Sequence, residues 1–387
     1  MINSALILFI SVLLFACAQN NVTSHVASKI LQGTPIRGVN LGGWLLVEHS
    51  MTGSSSLWKG INDTIANSGE YIIMKELGHE EGDKRFDEHR ATWITEKDIA
   101  EISSYGLNTV RVPVGFWITE FDKQGLEDYK TFAPGALKYL DLLIKEWGLK
   151  HNVAVFVDLH AAVGSQNGMD HSAPKKEGKA TWTDYSRNID STLDVVEFLV
   201  SRYKDEPAFL GFGCLNEPWR ETSENILKSY YLRVYDLIRR KLNSNHLIGT
   251  SPLLDDQDIG KSDWETFMVS SKYKNVIHEW HKYQIWGFET KSEDQVLEYI
   301  ENHLTNSIKN WKGNPLIIGE WCFGTTGLAP FDKRDRWNLF SKSLLKAYSN
   351  IHWTFWSWRV SGDEQGKQTW SLRNMIRGGW FPDLNQS

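Results

Sequence analysis

Short apolar segments alternate with amphipathic segments along almost all of the 387-residue chain, and this alternation restricts the folds open to it. The apolar segments are continuous runs, which is typical of strands buried on both faces of a parallel sheet. In the segments between them, apolar residues recur at spacings of three and four, as in Leu137, Leu140 and Ile144, which predicts surface helices. The candidate strands are 36–40, 109–112, 154–159, 210–215, 247–250, 276–280, 316–319 and 352–356.

The order of these segments predicts the fold class. The candidate helices lie between the strands, at 96–105, 136–150, 192–203, 224–242, 293–311 and 334–348. Because alternating strands and helices form parallel sheets, eight strands in one domain predict a single α/β domain, a closed (β/α)8 TIM barrel. A doubly wound open sheet is the alternative, but no G-x-G-x-x-G turn follows the first strand.

The beginning of the chain has the pattern of an export signal. Residues 5–15 are apolar but too few to span a bilayer, and the A-C-A that follows them matches an A-x-A cleavage site. We therefore predict a secretory signal peptide at 1–18, a folded domain at 19–387, and a secreted protein of the extracellular space or cell wall. A bacterial lipoprotein signal with lipid on Cys17 is the alternative, although Phe15 fits that pattern poorly. No later segment predicts a membrane span.

Charge and composition narrow the classes of partner. The 48 acidic and 42 basic residues give a net charge of −6, so no basic surface is expected for nucleic acid. The 18 tryptophans favour sugars, because large rings stack on flat apolar faces. We expect a monomer without a cofactor. Cys214 and Cys322 are predicted to be buried free thiols, and glycosylation sequons begin at Asn21, Asn62 and Asn385.

Polar residues gather at the carboxyl ends of the predicted strands, where barrels of this type hold their active sites. Glu217 and Glu320 end the fourth and seventh strands with no cation adjacent in sequence. A carboxylate there is costly to bury as a charge, so it requires partners or a raised pKa. One interpretation is a satisfied salt bridge for each at the barrel mouth. The other is glycoside hydrolysis, in which one carboxyl group protonates the leaving oxygen and the other attacks the anomeric carbon or activates water.

Three further strand-end residues are candidates to support this pair. Arg111 is expected to keep Glu320 ionised, and Tyr283 to orient it through a hydrogen bond. Asn216 is expected to donate to the sugar 2-hydroxyl. Whichever of the two glutamates is the general acid is expected to have a raised pKa.

Histidine and tryptophan side chains complete the candidate site. His160 and His281 are expected to contact hydroxyls or the glutamates, and Trp356 to form the floor beneath the sugar. A metal site built from His160, His278 and His281 is a poor alternative, because Asp and Cys partners at ligand spacing are missing. We therefore predict no metal.

Seven segments carry a family resemblance: RGVNLGGWLLVEHS, RVPVGFW, VDLHAAVGSQNG, LNEPW, HKYQIW, IGEW and FWSW. Together they resemble glycoside hydrolase family 5, in particular its fungal exo-β-1,3-glucanases, over residues 34–382. The resemblance implies that 19–387 is a catalytic (β/α)8 barrel with a retaining mechanism, Glu217 as acid/base and Glu320 as nucleophile. It implies that Glu48 holds the terminal, non-reducing glucose. The surrounding shell that it implies is Arg111, His160, Asn216, His281, Tyr283 and Trp356.

Three positions, 169, 171 and 286, depart from the family pattern. After GSQNG the yeast relatives have Phe, Asp and Asn, whereas this chain has Met169, Asp170 and His171. The motif HKYQIW ends in Trp286, where the relatives usually have Phe. Since the two phenylalanine rings clamp the leaving-group glucose in the relatives, Met169 and Trp286 are predicted to bind it here with an altered acceptor preference.

These observations favour a secreted retaining hydrolase that releases glucose from non-reducing ends of β-1,3-glucan, with that polysaccharide or its oligosaccharides as partner. The departures at Met169 and Trp286 leave an alternative, a β-glucosidase of another linkage such as β-1,6-glucan or a steryl or lipid glucoside. A glucan-binding protein without activity is a third hypothesis. It is disfavoured because both glutamates and their partners are present.

Overall fold

The computed structural model describes residues 24–120, 127–219, 221–269 and 271–382. The predicted signal peptide at 1–18, the alternative lipid site at Cys17 and the sequons at Asn21 and Asn385 lie outside these residues.

Parallel strands form a closed barrel in chain order, with the last strand paired to the first. They are β1 (Arg37–Asn40), β2 (Thr109–Gly115), β3 (Ala154–Ala161), β4 (Phe209–Gly213), β5 (Leu247–Thr250), β6 (Val276–His281), β7 (Leu316–Glu320) and β8 (His352–Phe355). The predicted (β/α)8 fold class is therefore confirmed. Four of these strands, β2, β3, β6 and β7, extend past their predicted ends because the parallel pairing continues beyond the predicted apolar run.

Helices surround the barrel. They are α1 (Val26–Leu31), α2 (His49–Thr52), α3 (Asp63–Ala66), α4 (Glu70–Trp93), α5 (Glu96–Ser104), α6 (Ala136–Leu142), α7 (Gly148–His151), α8 (Ser186–Tyr203), α9 (Glu224–Asp236), α10 (Glu293–Glu298), α11 (Thr305–Asn310), α12 (Arg334–Ala347) and α13 (Leu372–Arg377). Three predicted continuous helices contain π-helical turns, at Leu143–Trp147, Leu237–Lys241 and Tyr299–Leu304. The sequence did not predict α4, which turns at Gly78 (φ 66°) and so presents no single apolar face.

The barrel interior changes from apolar to polar along the strands. At the amino ends, side chains such as Ile36, Phe156 and Ile317 pack together, and α1 covers them with Val26 and Ile30. The carboxyl ends instead carry a buried group of charged and amide side chains. Because the amino end is filled with apolar side chains, a ligand reaches this polar group from the carboxyl end of the barrel.

Other sequence predictions concern the cysteines, one sequon and membrane spans. Cys214 and Cys322 are buried free thiols, as predicted. Asn62 is exposed and caps α3 by accepting from the Ile65 amide, so its sequon lies on the surface. Among the described residues, no helix combines the length and the apolar character needed to cross a membrane.

Candidate active site

Arg111 lies at the centre of the polar end of the barrel. It is fully buried on β2, and its guanidinium contacts a carboxylate on each of three other strands. Nη2 lies 3.1 Å from Asp158 Oδ2 and 2.9 Å from Glu279 Oε1, and Nη1 lies 3.1 Å from Glu320 Oε1. Although burial opposes the charge, these carboxylates raise the pKa of Arg111, so the guanidinium remains a permanent cation at this depth.

Two amide side chains fix the guanidinium in its plane. Nη1 donates to Asn40 Oδ1 at 2.9 Å and Nη2 donates to Asn216 Oδ1 at 2.8 Å. Asn40 in turn donates to the carbonyl of Gly319 at 2.8 Å, which ties β1 to the end of β7. With its oxygen engaged, Asn216 Nδ2 is buried and has no hydrogen-bond partner among the described residues. This amide is the kind of donor that a sugar hydroxyl requires.

Glu320 ends β7 and receives donors on both oxygens. Arg111 Nη1 donates to Oε1 at 3.1 Å and the Tyr283 hydroxyl donates to Oε2 at 2.9 Å, so both predicted partners of Glu320 are in place. His160 Nε2 lies 3.8 Å from Oε1. Burial raises the pKa of Glu320, and the nearby Glu217 adds to this, while His281 and Arg111 oppose it.

Glu217 follows β4 in a left-handed backbone conformation, with φ at 43°. Such a conformation costs a non-glycine residue about 1–3 kcal/mol. The Asn167 side chain helps to hold it by donating to the Glu217 carbonyl at 3.1 Å. The side chain is buried except for 12% of its surface. Its Oε1 lies 2.7 Å from His281 Nδ1, and its Oε2 lies 3.5 Å from His171 Nε2.

The pKa of Glu217 is shifted in the direction opposite to that expected of the general acid. Burial alone would raise the pKa of Glu217, but the hydrogen bond and charge of His281, with the charges of His171 and Arg111, lower it to about 2. The expected raised pKa is therefore wrong for this arrangement. Conversely, Glu320, Glu217 and Glu279 outweigh burial and raise the pKa of His281 to about 10. The free site therefore favours the proton on His281 over Glu217, across a contact of 2.7 Å.

His160 has the opposite character. Its Nδ1 lies 2.7 Å from Asp158 Oδ2, and burial with the charge of Arg111 holds the pKa of His160 well below its usual range. Its ring stacks on Trp356 at 5.5 Å and an interplanar angle of 5°. Trp356 therefore lies beside this neutral imidazole at the end of β8, where the sequence analysis placed the floor of the site.

The two glutamates face each other across the barrel mouth. One oxygen of Glu217, one nitrogen of His281 and one oxygen of Glu320 all lie within 4.8 Å of one another. Three such atoms are close enough to hold a metal ion, but both oxygens of Glu320 already receive donors, and His281 Nδ1 is 2.7 Å from Glu217. The chemistry of this donor set therefore favours a pair of carboxyl groups acting on a substrate.

Glu48 lies just before α2, on the long connection that follows β1. Its Oε1 is buried and has no hydrogen-bond partner among the described residues. Burial raises the pKa of Glu48 well above its usual value, and the charges of Asp170, Glu320 and Glu217 raise it further. The ionisation of Glu48 is therefore linked to the charges of both candidate catalytic glutamates.

An aromatic cluster surrounds Tyr283, the partner of Glu320. Trp286 is 66% exposed, and its ring lies 5.3 Å from Tyr283 and 6.4 Å from Trp370. Met169, the other predicted leaving-group residue, is half-buried, and its amide donates to Asn167 Oδ1 at 2.9 Å. Trp370 was not predicted, because it lies on a loop after β8 and no motif marks it.

Sequence reasoning missed three charged or titratable neighbours of the pair: Asp158, Glu279 and His171. Asp158 and Glu279 each precede a predicted histidine by two residues on one strand, so the period of two along a strand was the signal that could have found them. His171 lies on a loop, where no such period exists. His278, in contrast, points away from the site and stacks on Trp311 at 4.7 Å.

A parallel barrel with two glutamates facing one another at its carboxyl end is the arrangement of a glycoside hydrolase. A family model described as Cellulase (glycosyl hydrolase family 5) matches residues 84–362, and the chain belongs to that family. It is 27% identical to a glucan 1,3-beta-glucosidase of Schwanniomyces occidentalis, over 91% of this chain and 88% of that one. It is 30% identical to a glucan 1,3-beta-glucosidase of Blumeria graminis, over 90% and 86% of the two chains. Among solved structures, rutinosidase from Aspergillus niger is similar with a TM-score of 0.74 and 18% identity, over 91% and 99%, which shows a shared fold.

Proposed function

We propose that this chain is a secreted retaining exo-β-1,3-glucosidase that releases glucose from the non-reducing ends of β-1,3-glucan. The observation that carries the proposal is the approach of Glu217 and Glu320, whose nearest side-chain oxygens lie within 4.8 Å. Retaining glycosidases hold their two carboxyl groups about 5–5.5 Å apart, whereas inverting enzymes leave about 6.5–9.5 Å for a water molecule. The relatives named glucan 1,3-beta-glucosidase support the choice of substrate.

In the first step, Glu320 attacks the anomeric carbon. Arg111 and Tyr283 donate to its two oxygens, so they hold the carboxylate in one orientation and stabilise its charge before it attacks. The C1–O bond to the leaving sugar breaks as Glu217 passes to the leaving oxygen the proton that it shares with His281, 2.7 Å away. Asn216 Nδ2 is the unengaged donor available to the 2-hydroxyl, where hydrogen bonds strengthen in the transition state.

In the second step, water replaces the leaving sugar. The Glu217 carboxylate takes a proton from the water as the water oxygen attacks C1, and the ester bond to Glu320 breaks. Each displacement inverts C1 once, so glucose leaves with the β-configuration of the substrate.

Exo action is proposed from Glu48. Its buried, unengaged carboxyl oxygen lies on the connection after β1, near both catalytic glutamates. A carboxyl group in this position is able to accept hydrogen bonds from the hydroxyls of a terminal glucose, which an internal sugar has replaced by a linkage. Export is proposed from the signal pattern at 1–18, which directs the domain to the compartment where polymeric glucan is found.

Proton NMR of laminarin digestion tests the proposal. The chain lacking residues 1–18 is compared with Glu320→Ala and with Glu146→Ala, a matched change at an exposed glutamate. We expect β-glucose as the first product from the parent and the Glu146 variant, and none from the Glu320 variant. Early oligosaccharides would refute exo action, and α-glucose as the first product would refute retention.

A β-glucosidase of another linkage is the second candidate, and the exposed Trp286 beside Trp370 favours it. Aromatic surface at a leaving-group site accepts apolar aglycones as well as sugars. A panel of gentiobiose, steryl glucoside and laminaribiose distinguishes the two candidates. A higher kcat/KM on either of the first two would favour this second function.

A further inference from the structure

The loop after β3 carries the segment GSQNG, residues 164–168, to which the proposed mechanism gives no role. The side chains of Gln166 and Asn167 in this segment are fully buried. Buried amides require hydrogen-bond partners, and each of these two side chains donates to a backbone carbonyl of the segment that carries Glu217. The loop and the segment that holds the acid/base are therefore joined by buried hydrogen bonds.

The two carbonyls that accept these bonds lie on either side of the Glu217 Cα. Gln166 Nε2 donates to the carbonyl of Asn216 at 2.8 Å, and Asn167 Nδ2 donates to the carbonyl of Glu217 at 3.1 Å. Because a peptide group is planar, the first bond restrains the plane before this Cα and the second restrains the plane after it. Together the two bonds restrain φ and ψ of Glu217, which are the two soft dihedrals of its backbone.

Glu217 needs this restraint because of its own backbone and because of the residue that follows it. Its φ of 43° lies in the left-handed region, which is unfavourable for a residue with a Cβ, so an unrestrained chain would leave it. The following residue is Pro218, whose nitrogen carries no hydrogen. The peptide group after Glu217 therefore has only its carbonyl with which to form a hydrogen bond, and Asn167 donates to that carbonyl.

The loop that presents the two amides is itself held in place. Gln166 Nε2 also donates to the carbonyl of His160 on β3 at 2.7 Å, and its Oε1 accepts from the Ala162 amide at 3.1 Å. The backbone carbonyl of Gln166 accepts from the amide of Trp219 at 3.0 Å. The donors therefore start from positions fixed on β3, and the loop contacts the chain both before and after Glu217.

We propose that Gln166 and Asn167 are positioning residues for the acid/base, which set the direction of the Glu217 side chain through its backbone. The direction of the Cα–Cβ bond follows from φ and ψ, so a rotation at Glu217 moves its carboxyl group away from His281 and from the leaving oxygen. A displacement of about 1 Å between reacting groups can cost about 10²-fold in rate. The inference rests on the proposed hydrolysis and deepens it, because both residues act through the same glutamate.

The test is the dependence of kcat/KM on the leaving group. Laminaribiose needs a proton on its leaving oxygen, whereas 2,4-dinitrophenyl β-glucoside does not. For Asn167→Ala we expect kcat/KM on laminaribiose to fall about tenfold or more, with less than about a threefold change on the dinitrophenyl glucoside. Gln166→Met removes the donor to the other carbonyl, so it should show the same difference between the two substrates. A variant that only loosens the fold would lose activity on both.

Azide supplies a second readout. It attacks C1 of the glucosyl ester on Glu320 without the help of a base, so that a C–N bond forms as the ester bond breaks and β-glucosyl azide is released. Azide should therefore raise kcat on the dinitrophenyl glucoside at least about threefold in Asn167→Ala and leave the parent unchanged. Asn167→Asp keeps the acceptor for the Met169 amide but lacks the donor to Glu217, so it should behave like Asn167→Ala. Parental kinetics in Asn167→Asp would overturn the proposal.

Asn314 provides the matched control. It is also a buried amide that donates to a backbone carbonyl, that of Phe267 at 3.2 Å, but it lies before β7 at the amino end of the barrel. Asn314→Ala should therefore keep the parent's ratio of kcat/KM on the two glucosides. An equal loss on both glucosides in the Asn167 variants, or no loss on either, would overturn the proposal, also if thermal unfolding shows that Gln166→Met does not fold. If the parent hydrolyses neither glucoside, the proposed function fails instead.

Discussion

Replacing Arg111 by Met tests whether one guanidinium holds the polar end of the barrel together. Asp158, Glu279 and Glu320 lie 3.1, 2.9 and 3.1 Å from its nitrogens, and none of the three side chains is more than 6% exposed. Removing one partner of a buried ion pair costs about 3–5 kcal/mol, because the remaining charge is left uncompensated. Since three carboxylates share this cation, we expect the free energy of unfolding to fall by at least this amount near pH 8.

The loss should depend on pH. Without the guanidinium, the pKa of a neighbouring carboxyl group rises above its value in the unfolded chain, so the folded variant binds the additional proton. A carboxyl group whose pKa is raised in the folded state stabilises the fold at pH values below that pKa. This contribution is lost as the pH rises through that pKa. Each proton so bound changes stability by about 1.4 kcal/mol per pH unit. Lowering the pH from 8 to 6 should therefore recover about 2–3 kcal/mol of the difference between Arg111→Met and the parent.

Urea unfolding followed by tryptophan fluorescence measures both quantities. Arg111→Met is compared with the double variant Arg111→Met/Glu279→Gln, which removes one carboxylate with the cation and should regain part of the loss. Arg240→Met, at a largely exposed arginine paired with Asp236, should cost less than about 1 kcal/mol. A loss for Arg111→Met that is the same at pH 8 and pH 6 would show that packing, not charge, accounts for it.

Three further predictions concern pH and leaving-group binding. Because burial raises the pKa of Glu320 and the nucleophile must be ionised, the acidic limb of kcat/KM on laminarin should lie above pH 4.5, and a limb below that pH would contradict the assignment. Burial lowers the pKa of His278 to about 3. As the pH falls below 6.5, His278 is therefore protonated in the unfolded chain but not in the folded chain. The protein should lose stability between pH 8 and pH 5, and in His278→Leu this loss should be smaller by about 2 kcal/mol, measured by urea unfolding. An unchanged pH dependence would exclude this cause. Trp286→Ala should raise KM for laminari-oligosaccharides about two- to tenfold with a smaller effect on kcat, and steady-state kinetics showing the reverse would remove Trp286 from the binding surface.

The sequence predicted the contacts of Glu320 because strand ends converge in a parallel barrel. Arg111 lies within β2 and Tyr283 follows β6, both far from Glu320 along the chain, yet the closed sheet brings all three to one opening. The same rule placed Glu217 opposite Glu320. Apolar runs and strand order were sufficient for these predictions, since they depend on topology and not on the path of any loop.

Loop geometry accounts for what the sequence did not predict. His171 reaches Glu217 through the turn after the GSQNG loop, and no pattern in that segment encodes where its ring points. The direction of the Glu217 pKa was wrong for the same reason, because it depends on a distance of 2.7 Å to His281 and not on residue type. The long helix α4 escaped prediction because its turn at Gly78 interrupts the apolar periodicity.

The apolar packing at the amino end of the barrel has a consequence for how the protein exchanges protons with water. Ile36, Phe156 and Ile317 block that end, so the buried carboxylates and imidazoles equilibrate with solvent through the carboxyl end alone. We expect a sugar bound there to block this route until the leaving sugar departs and water enters for the second step. The protonation state in which the first step takes place is thus the one present when the sugar binds. The pH of the solution then affects the fraction of protein molecules that bind a sugar productively more than it affects the rate at which a bound sugar reacts in the first step.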